Sequence, residues 1–273
     1  MIKLKNVTFG YEYNRDGEIE NALEQINLEI RDGEYVGIMG HNSSGKTTLA
    51  RCLNALIIPD EGEISVDGMS PDDDESINAI RRKIGMVFQN PENQIVSTTV
   101  EREIAFGLEN LGVPTEMMHQ VVDGTLARFN LEKYRKHPPH LLSGGEKQRL
   151  ALAAVMAMNP KYLVLDEPTA MLDPKSRKEL LTLLKEIKED NRRKKVADQI
   201  TIILITQFAE ETLDADRLIV LNSGKIVYDD APDVVFQNVE DLKEIGLEVP
   251  VEFEVGQMLV EMGYSIEPLK DFK

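Results

Sequence analysis

Short, mainly apolar runs recur along this chain and alternate with segments whose apolar positions are spaced three and four residues apart. Continuous apolar runs predict strands buried on both faces, and the wider spacing predicts helices that bury one face. Four apolar runs lie at residues 35–39, 84–88, 163–165 and 201–206. We therefore expect an α/β core built from about residues 1–90 and 160–230.

Between the two parts of that core, the pattern predicts a helical insert. Thr99–Leu111 and Glu116–Phe129 are its expected helices, and Pro138-Pro139 interrupts the chain after them. Because proline cannot continue a helix, this interruption would let the insert move as a unit against the core.

The C-terminal residues have a pattern of their own. Val255, Met258, Leu259 and Met262 recur at i, i+3, i+4 and i+7, which predicts an apolar stripe on an otherwise acidic helix. Such a stripe either packs on its own domain, which is the commoner case, or contacts a second chain.

The first candidate for chemistry directly follows the run at 35–39. Gly40–Thr47 fits G-x-x-x-x-G-K-[ST], and a predicted helix, Lys46–Leu56, continues from it. In such a segment, backbone N–H groups and the helix N-terminus bind phosphate, the lysine reaches the β- and γ-phosphates, and the hydroxyl of Thr47 binds Mg²⁺. The alternative is a turn that only caps a helix, which the complete motif disfavours. The expected nucleotide-binding residues are Gly40, His41, Asn42, Ser43, Ser44, Gly45, Lys46, Thr47 and Thr48.

A second candidate is the acidic pair Asp166-Glu167, which follows the run at 163–165. Acidic side chains at the carboxyl end of a parallel strand lie where such sheets bind ligands. Asp166 is therefore an expected Mg²⁺ ligand, and Glu167 is expected to orient or deprotonate the attacking water. Alone, the pair would more often be a solvated turn, but the phosphate loop reverses that preference.

The third candidate, Ser143-Gly144-Gly145-Glu146, has the spacing of a capping box at the start of a helix. Two glycines after the cap leave the first N–H groups of that helix bare, and a bare helix end binds anions. This helix end has no phosphate of its own, so we expect the anion to come from elsewhere.

With a Leu-Ser-Gly-Gly stretch at 142–145 between the phosphate loop and the acidic pair, the chain resembles the ATP-binding cassette (ABC) family over about residues 1–230. The resemblance implies a P-loop NTPase fold with a RecA-like core, an antiparallel β subdomain, a helical subdomain and a small C-terminal extension. It divides the chain into a nucleotide-binding domain at 1–231, with the insert at about 91–158, and an extension at 232–273. It also implies that each ATP lies between one chain's phosphate loop and the Leu-Ser-Gly-Gly stretch of another.

Three further positions match motifs of that family. Tyr11 stands where the family has an adenine-stacking aromatic residue, Gln89 is the expected Q-loop glutamine, with roles in catalysis and Mg²⁺ binding, and Asp173 ends the D-loop at 170–173. Each signal is weak alone. Tyr11 would then be a half-buried strand residue, Gln89 a strand-end cap and Asp173 a helix N-cap.

Two positions depart from the family pattern. Ser43 replaces a common glycine, which predicts a negative φ there because the position must tolerate a Cβ. Gln207 replaces the switch-loop histidine after the fourth apolar run. Glutamine carries no proton at neutral pH but can hydrogen-bond the γ-phosphate. We expect Gln207 to act as a positioning group beside Lys46, Gln89 and Glu167 in the catalytic set.

Within the family, residues 88–96, 99–107 and 109–112, together with Met171, resemble the ATPase subunits of energy-coupling factor (ECF) transporters. The resemblance implies an ATPase that uses ATP and Mg²⁺ to drive import of a vitamin or metal ion. Its implied partners are a second ABC ATPase chain, a membrane-embedded coupling subunit and a substrate-binding membrane subunit. The implied location is peripheral, at the cytoplasmic face of the cell membrane.

Composition is consistent with this interpretation. The net charge of −17 argues against nucleic acid as a partner, because that binding depends on lysine and arginine neutralising phosphates. The sequence has no apolar run of 18 residues, which a membrane-spanning helix would need. The sequence has a single cysteine, Cys52, which is typical of a protein in a reducing compartment. We expect Cys52 to be a small residue of the core. The basic run at 192–195 predicts a solvated linker, with contact to a membrane surface or an acidic partner as the alternative.

A soluble ABC ATPase that acts in DNA repair or translation is the alternative function. Such proteins typically add a long coiled coil, zinc motifs or a second cassette, and this sequence has none of them. A P-loop GTPase fits less well, because the sequence lacks the Asn-Lys-x-Asp motif that recognises the base.

Overall fold

The computed structural model describes residues 1–12 and 19–262. These residues form two sheets surrounded by helices. The strands are β1 (Ile2–Glu12), β2 (Ile19–Ile30), β3 (Tyr35–Met39), β4 (Glu61–Val66), β5 (Ile84–Val87), β6 (Tyr162–Asp166), β7 (Thr201–Thr206), β8 (Arg217–Asn222) and β9 (Lys225–Asp230). The α-helices are α1 (Lys46–Leu53), α2 (Asp74–Lys83), α3 (Val100–Asn110), α4 (Thr115–Arg128), α5 (Gly144–Ala157), α6 (Pro174–Arg192), α7 (Pro232–Val235), α8 (Val239–Glu244) and α9 (Val251–Glu261).

A six-stranded sheet in the order β5-β6-β7-β3-β8-β9 forms the core. Its first five strands are parallel, and β9 pairs with β8 in the antiparallel sense. The four apolar runs of the sequence correspond to β3, β5, β6 and β7, in which every residue is buried. Because these strands are parallel neighbours, the residues that follow them meet at one edge of the sheet.

A second, antiparallel sheet of three strands in the order β2-β1-β4 packs on one side of this core. Leu23 and Ile26 of β2 share an apolar cluster with Leu49 of α1 and with Val164 and Ile203 of the core sheet. The packing brings the end of β1 close to α1.

The helical insert packs on the opposite face, where Ile104 and Leu126 join a cluster with Leu163 and Leu165 of β6. Its two predicted helices are confirmed as α3 and α4. Thr99 caps α3, its hydroxyl accepting a hydrogen bond from the Arg102 N–H.

One predicted helix boundary was wrong. α1 ends at Leu53 and does not reach Leu56. Ala55 has φ 50°, and the Leu56 N–H bonds back to the Arg51 carbonyl at 2.9 Å, so the chain turns away from the helix axis.

The C-terminal residues begin by packing on the core and end with an exposed apolar surface. Phe236 and Leu242 join a cluster with Met39 and Leu218, and Phe253 of α9 lies with its ring centroid 5.4 Å from that of Phe236. The stripe predicted for this helix is exposed and does not pack on its own domain, which was the commoner of its two alternatives; Phe253 makes the inward contact instead. The exposed members are Val255, Met258, Leu259 and Met262.

One smaller prediction is confirmed. Cys52 is fully buried in α1, and burial raises the pKa of its thiol to about 12. The basic run at 192–195 is solvent-exposed at the end of α6 and just beyond it, which is consistent with both alternatives for this segment. Across residues 1–12 and 19–262, no helix has the length and apolar character needed to cross a membrane.

Candidate nucleotide-binding and catalytic site

The phosphate loop joins β3 to α1 in a closely packed conformation. A Cβ at Gly40 would overlap Ser44 Oγ and the Leu221 carbonyl oxygen, and a Cβ at Gly45 would overlap the Ala22 carbonyl oxygen. Gly45 also has φ +102°, which glycine adopts far more readily than other residues. Both motif glycines are therefore required by the shape of the loop itself.

Ser43 corrects one expectation from the sequence. Its φ is 65°, in the left-handed region, so the predicted negative φ was wrong. The loop imposes this conformation on whichever residue occupies the position, which is a physical reason for glycine there. With serine, the strain costs roughly 1–2 kcal/mol. The next residue, Ser44, has a buried Oγ with no hydrogen-bond partner among the described residues, which fits a loop that receives phosphate oxygens.

Lys46 lies at the centre of this loop with only 4% of its surface exposed. Its Nζ donates to the carbonyl oxygens of Gly40 at 2.8 Å and His41 at 2.9 Å, and lies 3.5 Å from Glu167 Oε1. Burial lowers the pKa of Lys46, and the Glu167 charge opposes that shift. The loop therefore holds a desolvated cation where the motif requires one.

The expected Mg²⁺ ligands Thr47 and Asp166 are in direct contact. Thr47 Oγ1 donates to Asp166 Oδ1 at 3.1 Å. Burial raises the pKa of Asp166, and the Thr47 hydrogen bond opposes that shift. Within residues 1–12 and 19–262, no cluster of three or more His, Cys, Asp or Glu side chains could hold a metal. A hydroxyl and one carboxylate suit Mg²⁺, which usually takes few protein ligands and completes its shell with phosphate and water.

Gln89 and Glu167 are brought together from different strands. Gln89 Nε2 donates to Glu167 Oε2 at 2.9 Å, while Lys46 lies near the other carboxylate oxygen. Glu167 has φ 47°, and its N–H donates to the Ile205 carbonyl at 2.9 Å. Left-handed backbone at a non-glycine residue is strained and recurs at functional sites. Here it places the carboxyl group between the strand ends.

Gln207 and Tyr11 border the same site. Gln207 follows Thr206, the last residue of β7, and β7 lies between the strands that carry the acidic pair and the phosphate loop. Tyr11 is 42% exposed, and its hydroxyl lies 3.3 Å from Thr48 Oγ1 on α1. The Tyr11 ring thus has a free surface beside the helix that begins at Lys46.

The Leu-Ser-Gly-Gly stretch forms a separate surface. Its predicted capping box is confirmed: the Glu146 N–H donates to Ser143 Oγ at 3.4 Å, and the Ser143 N–H donates to Glu146 Oε2 at 2.8 Å. Ser143 and Gly144 are exposed, and a Cβ at Gly144 would meet nothing within 4 Å. Gly145 is buried, and a Cβ there would overlap Ser176 Oγ.

Asp173 of the D-loop caps α6. Its carboxylate accepts from the Lys175 N–H at 3.0 Å and the Ser176 N–H at 3.1 Å, and hydrogen bonds with Ser176 lower its pKa. Across the described parts of the chain, neither Ser143 nor Asp173 hydrogen-bonds to the phosphate loop or to the acidic pair. The structure thus groups Lys46, Thr47, Gln89 and the acidic pair but leaves these two outside that group.

One further residue at this site was not predicted from the sequence. Glu211, which is 5% exposed, accepts hydrogen bonds from Thr169 Oγ1, Thr206 Oγ1 and Arg177 Nε, each at 2.6 Å. Its neighbour Glu210 is exposed. Two adjacent glutamates carry no local signal that one is buried and the other solvated.

Comparison with known proteins places this site in a family. The family model for the ABC transporter matches residues 23–170, more than half of the chain. The chain is also 46% identical over 266 residues to the energy-coupling factor transporter ATP-binding protein EcfA1 of Clostridium novyi, covering 97% of this chain and 92% of that protein. The chain belongs to the ABC transporter family. The protein of the same description in Bacillus subtilis is 43% identical over 267 residues, covering 98% of this chain and 91% of its own length.

Solved structures agree with this assignment. The structure of cbiO1 from Clostridium perfringens, described as part of the ABC transporter complex cbiONQ, matches with a TM-score of 0.76 at 33% identity, over 94% of this chain and 98% of that one. A dimeric ATP-binding cassette in a post-hydrolysis state with ADP and Pi matches with a TM-score of 0.75 at 32% identity, over 85% of this chain and 99% of that one. The predicted fold class, the ABC ATPase activity and the resemblance to the ECF group are confirmed.

Proposed function

We propose that this ABC ATPase powers an ECF-type importer, in which ATP-driven closing and opening of two cassettes is coupled to uptake of a vitamin or metal ion. The convergence of Lys46, Thr47, Gln89 and the acidic pair at one sheet edge carries the proposal. The near full-length similarity to ECF transporter ATP-binding proteins supports the subgroup.

Each residue of the site has a proposed role. The phosphate loop and Lys46 bind the phosphates of ATP, and Tyr11 stacks on the adenine. Thr47, Asp166 and Gln89 hold Mg²⁺, which screens the negative charge of the phosphates. Glu167 accepts the proton of the attacking water, and Gln207 positions the γ-phosphate by hydrogen bonding.

The two cassettes complete each other's sites. The exposed N–H groups that follow Ser143 bind the γ-phosphate of an ATP held by the partner chain, and Asp173 lies at the same interface. Loss of the γ-phosphate removes charge-assisted hydrogen bonds between the chains, so the closed dimer opens. Only this difference in affinity between the closed and open states can do work on a membrane partner.

The remaining partners act at the membrane. The helical insert contacts a membrane-embedded coupling subunit near Gln89, and a substrate-binding membrane subunit selects the cargo. The cassettes work peripherally at the cytoplasmic face of the cell membrane. The exposed stripe on α9 holds the two ATPases together while their sites are open.

Glu167→Gln tests the catalytic assignment. It removes the base but retains the phosphate and Mg²⁺ ligands, so ATP should bind with unchanged affinity, hydrolysis should stop, and an ATP-bound dimer should accumulate. Hydrolysis, ATP binding and dimer formation should be measured on the same preparation. Glu186→Gln, an exposed change on α6, is the control and should behave like the wild type. Steady hydrolysis by Glu167→Gln would exclude Glu167 as the base.

Co-purification tests the cellular role. A tagged chain isolated from detergent-solubilised cells should carry integral membrane proteins with it. Recovery of ribosomes or DNA instead would favour the soluble alternative and contradict the transport assignment.

A further inference from the structure

One buried carboxylate joins three segments around the catalytic site. Glu211 lies in the 3-10 turn Ala209–Thr212, which begins two residues after Gln207. Both of its carboxylate oxygens are engaged: Oε1 accepts from Thr169 Oγ1 and Arg177 Nε, and Oε2 accepts from Thr206 Oγ1. Its side chain is 2% exposed, so these donors take the place of water.

The three donors come from segments with different roles. Thr206 immediately precedes Gln207, so its hydrogen bond fixes the start of the switch loop. Thr169 follows Glu167 by two residues and is 1% exposed. Arg177 lies in the first turn of α6, the helix that Asp173 caps.

The next residue of the switch loop is attached to the same group. The Arg177 guanidinium carbon lies 3.5 Å from the centroid of the Phe208 ring, and the Phe208 N–H donates to Thr206 Oγ1 at 3.1 Å. Gln207 therefore lies between two residues that are both bound to this network. A side chain that must position a γ-phosphate needs such support, because a displacement of about 1 Å can lower a rate by roughly 100-fold.

We propose that Glu211 is a positioning residue for hydrolysis. Through Thr206 and the Arg177–Phe208 stack, it keeps Gln207 at a fixed position relative to Glu167 and to α6. This inference rests on the proposed function, because it assumes that Gln207 and Glu167 act on ATP. Glu211 itself touches no reacting atom. Its charge is what binds both hydroxyls and the guanidinium at once, and a neutral amide cannot accept from all three equally well.

A double-mutant cycle between Glu211→Gln and Gln207→Ala tests the proposal. Glu211→Gln alone should lower kcat by between about 10- and 100-fold, with the affinity for ATP changed less than about twofold, since the phosphate loop is untouched. In the Gln207→Ala background, Glu211→Gln should lower kcat by less than about twofold, because its effect passes through Gln207. Equal fractional losses in both backgrounds would overturn the proposal.

Matched variants separate positioning from general damage to the fold. Glu210→Gln makes the same chemical change at the adjacent, exposed glutamate and should leave kcat unchanged. Glu103→Gln alters another buried carboxylate, which accepts from the N–H groups of Val96 and Ser97, and it should lower the unfolding temperature without a comparable loss of kcat. A loss of kcat from Glu103→Gln as large as that from Glu211→Gln would show that burial of a carboxylate alone explains the effect.

If Glu211→Gln does not fold, Thr169→Val and Thr206→Val each remove one donor and keep the side-chain shape. Both should lower kcat in the same direction, and both effects should shrink when Gln207 is alanine. Unchanged kcat in both valine variants would contradict the proposal.

The assays use the chain with the membrane partners that purify with it, alongside the wild type and Glu167→Gln. If the wild type and Glu167→Gln hydrolyse ATP equally, the proposed function fails. If Glu167→Gln is inactive but Glu211→Gln matches the wild type, only this inference fails.

Discussion

Two helices in this chain begin with a glycine-containing segment that we expect to bind an anion, yet their surroundings differ. At the start of α1, Lys46 is 4% exposed and the loop before it is packed against neighbouring backbone. At the start of α5, Ser143 and Gly144 are exposed, and the space beside Gly144 is open. The α1 end is enclosed by the phosphate loop, whereas the α5 end is an accessible surface.

The chemical equipment of the two ends differs in the same way. The α1 end has a cation in Lys46, and Thr47 contacts the carboxylate of Asp166. At the α5 end, Glu146 is used in the cap and Lys147, the cation of the first turn, pairs with Glu92, which leaves the backbone N–H groups and the helix dipole. A helix N-terminus alone contributes about 0.3–1 kcal/mol to the binding of an anion. We therefore expect the second end to add to the binding of a phosphate held elsewhere and not to hold a nucleotide by itself.

The largest expected effect comes from disabling each end in a different chain. Lys46→Ala removes the cation of the phosphate loop. Ser143→Arg fills the accessible surface at the α5 end with a bulky side chain, whose positive charge has the same sign as the N-terminal end of the helix dipole. Each variant alone should lose hydrolysis by about 100-fold or more. A mixture of the two should regain part of the activity, because half of the composite sites in a mixed dimer keep both intact ends.

Lys46→Ala should also weaken nucleotide binding itself, whereas Ser143→Arg should leave binding to the isolated chain unchanged. Calorimetric titration with ATP distinguishes these outcomes. Mixing two separate preparations of Lys46→Ala is the control. If mixed dimers form and the mixture is still as inactive as its components, the result would contradict the prediction that composite sites form across two chains and work independently of each other.

A smaller loss of activity is expected at Gln207, which lies on the side of the α1 end. Gln207→Ala should lower kcat by about 10- to 100-fold, the cost of one or two hydrogen bonds to a charged group at about 1.5–3 kcal/mol each. Gln207→His should keep or raise kcat. Hydrolysis measured at saturating ATP decides this, and full activity of the alanine variant would show that this loop makes no contribution.

Stability should respond in opposite directions at the two ends. Burial raises the pKa of Asp166 in the folded chain. The folded state then binds this proton more tightly than the unfolded state, so stability falls as pH rises from about 3.9 through the folded pKa, and at pH 7 the ionised carboxylate is destabilising. Asp166→Asn should raise the unfolding temperature in the absence of nucleotide and Mg²⁺, by about 2–4 °C for each kcal/mol regained.

Ser143→Ala provides the matching test at the other end, since it removes an N-cap without any buried charge. It should lower the stability by about 1 kcal/mol. Thermal unfolding of both variants at pH 7 and near pH 4 checks the comparison. The gain in unfolding temperature from Asp166→Asn should be smaller at the lower pH. A gain that does not depend on pH would exclude the charge of the Asp166 carboxylate as its cause.

The smallest effect is expected at Ser43. Ser43→Gly relieves a left-handed backbone but adds flexibility to the unfolded chain, so we expect a net gain of about 0.5–1 kcal/mol. Ser44→Gly is the neighbouring control and should give no gain, because the φ of Ser44 is not positive and glycine there only adds flexibility to the unfolded chain. Chemical denaturation of the two variants measures both effects.

The sequence predicted those parts of the molecule that short-range patterns determine. The continuous burial of β3, β6 and β7 follows from apolar runs, and parallel pairing then brings the phosphate loop, the acidic pair and Gln207 to one edge. The capping box at Ser143 was predictable for the same reason, since all of its groups lie within four residues.

Features that depend on distant contacts were not predictable. The positive φ of Ser43 is imposed by the closely packed loop and not by any property of serine. The burial of Glu211 depends on donors from β7, α6 and the loop after β6, which no local pattern brings together. On α9, periodicity indicated a stripe, but Phe253, a residue outside that stripe, makes the contact with Phe236.

Burial of Cys52 has a practical use in labelling experiments. Its sulfur is enclosed in the core behind the phosphate loop, and the raised thiol pKa leaves almost no thiolate at neutral pH, so maleimides and similar reagents react with it only when the domain opens. As the chain has no other cysteine, a thiol introduced at exposed Met171 or Leu141 can carry a fluorophore or spin label without first removing the native one. In the wild type, the rate at which Cys52 is modified then measures the rate of global unfolding.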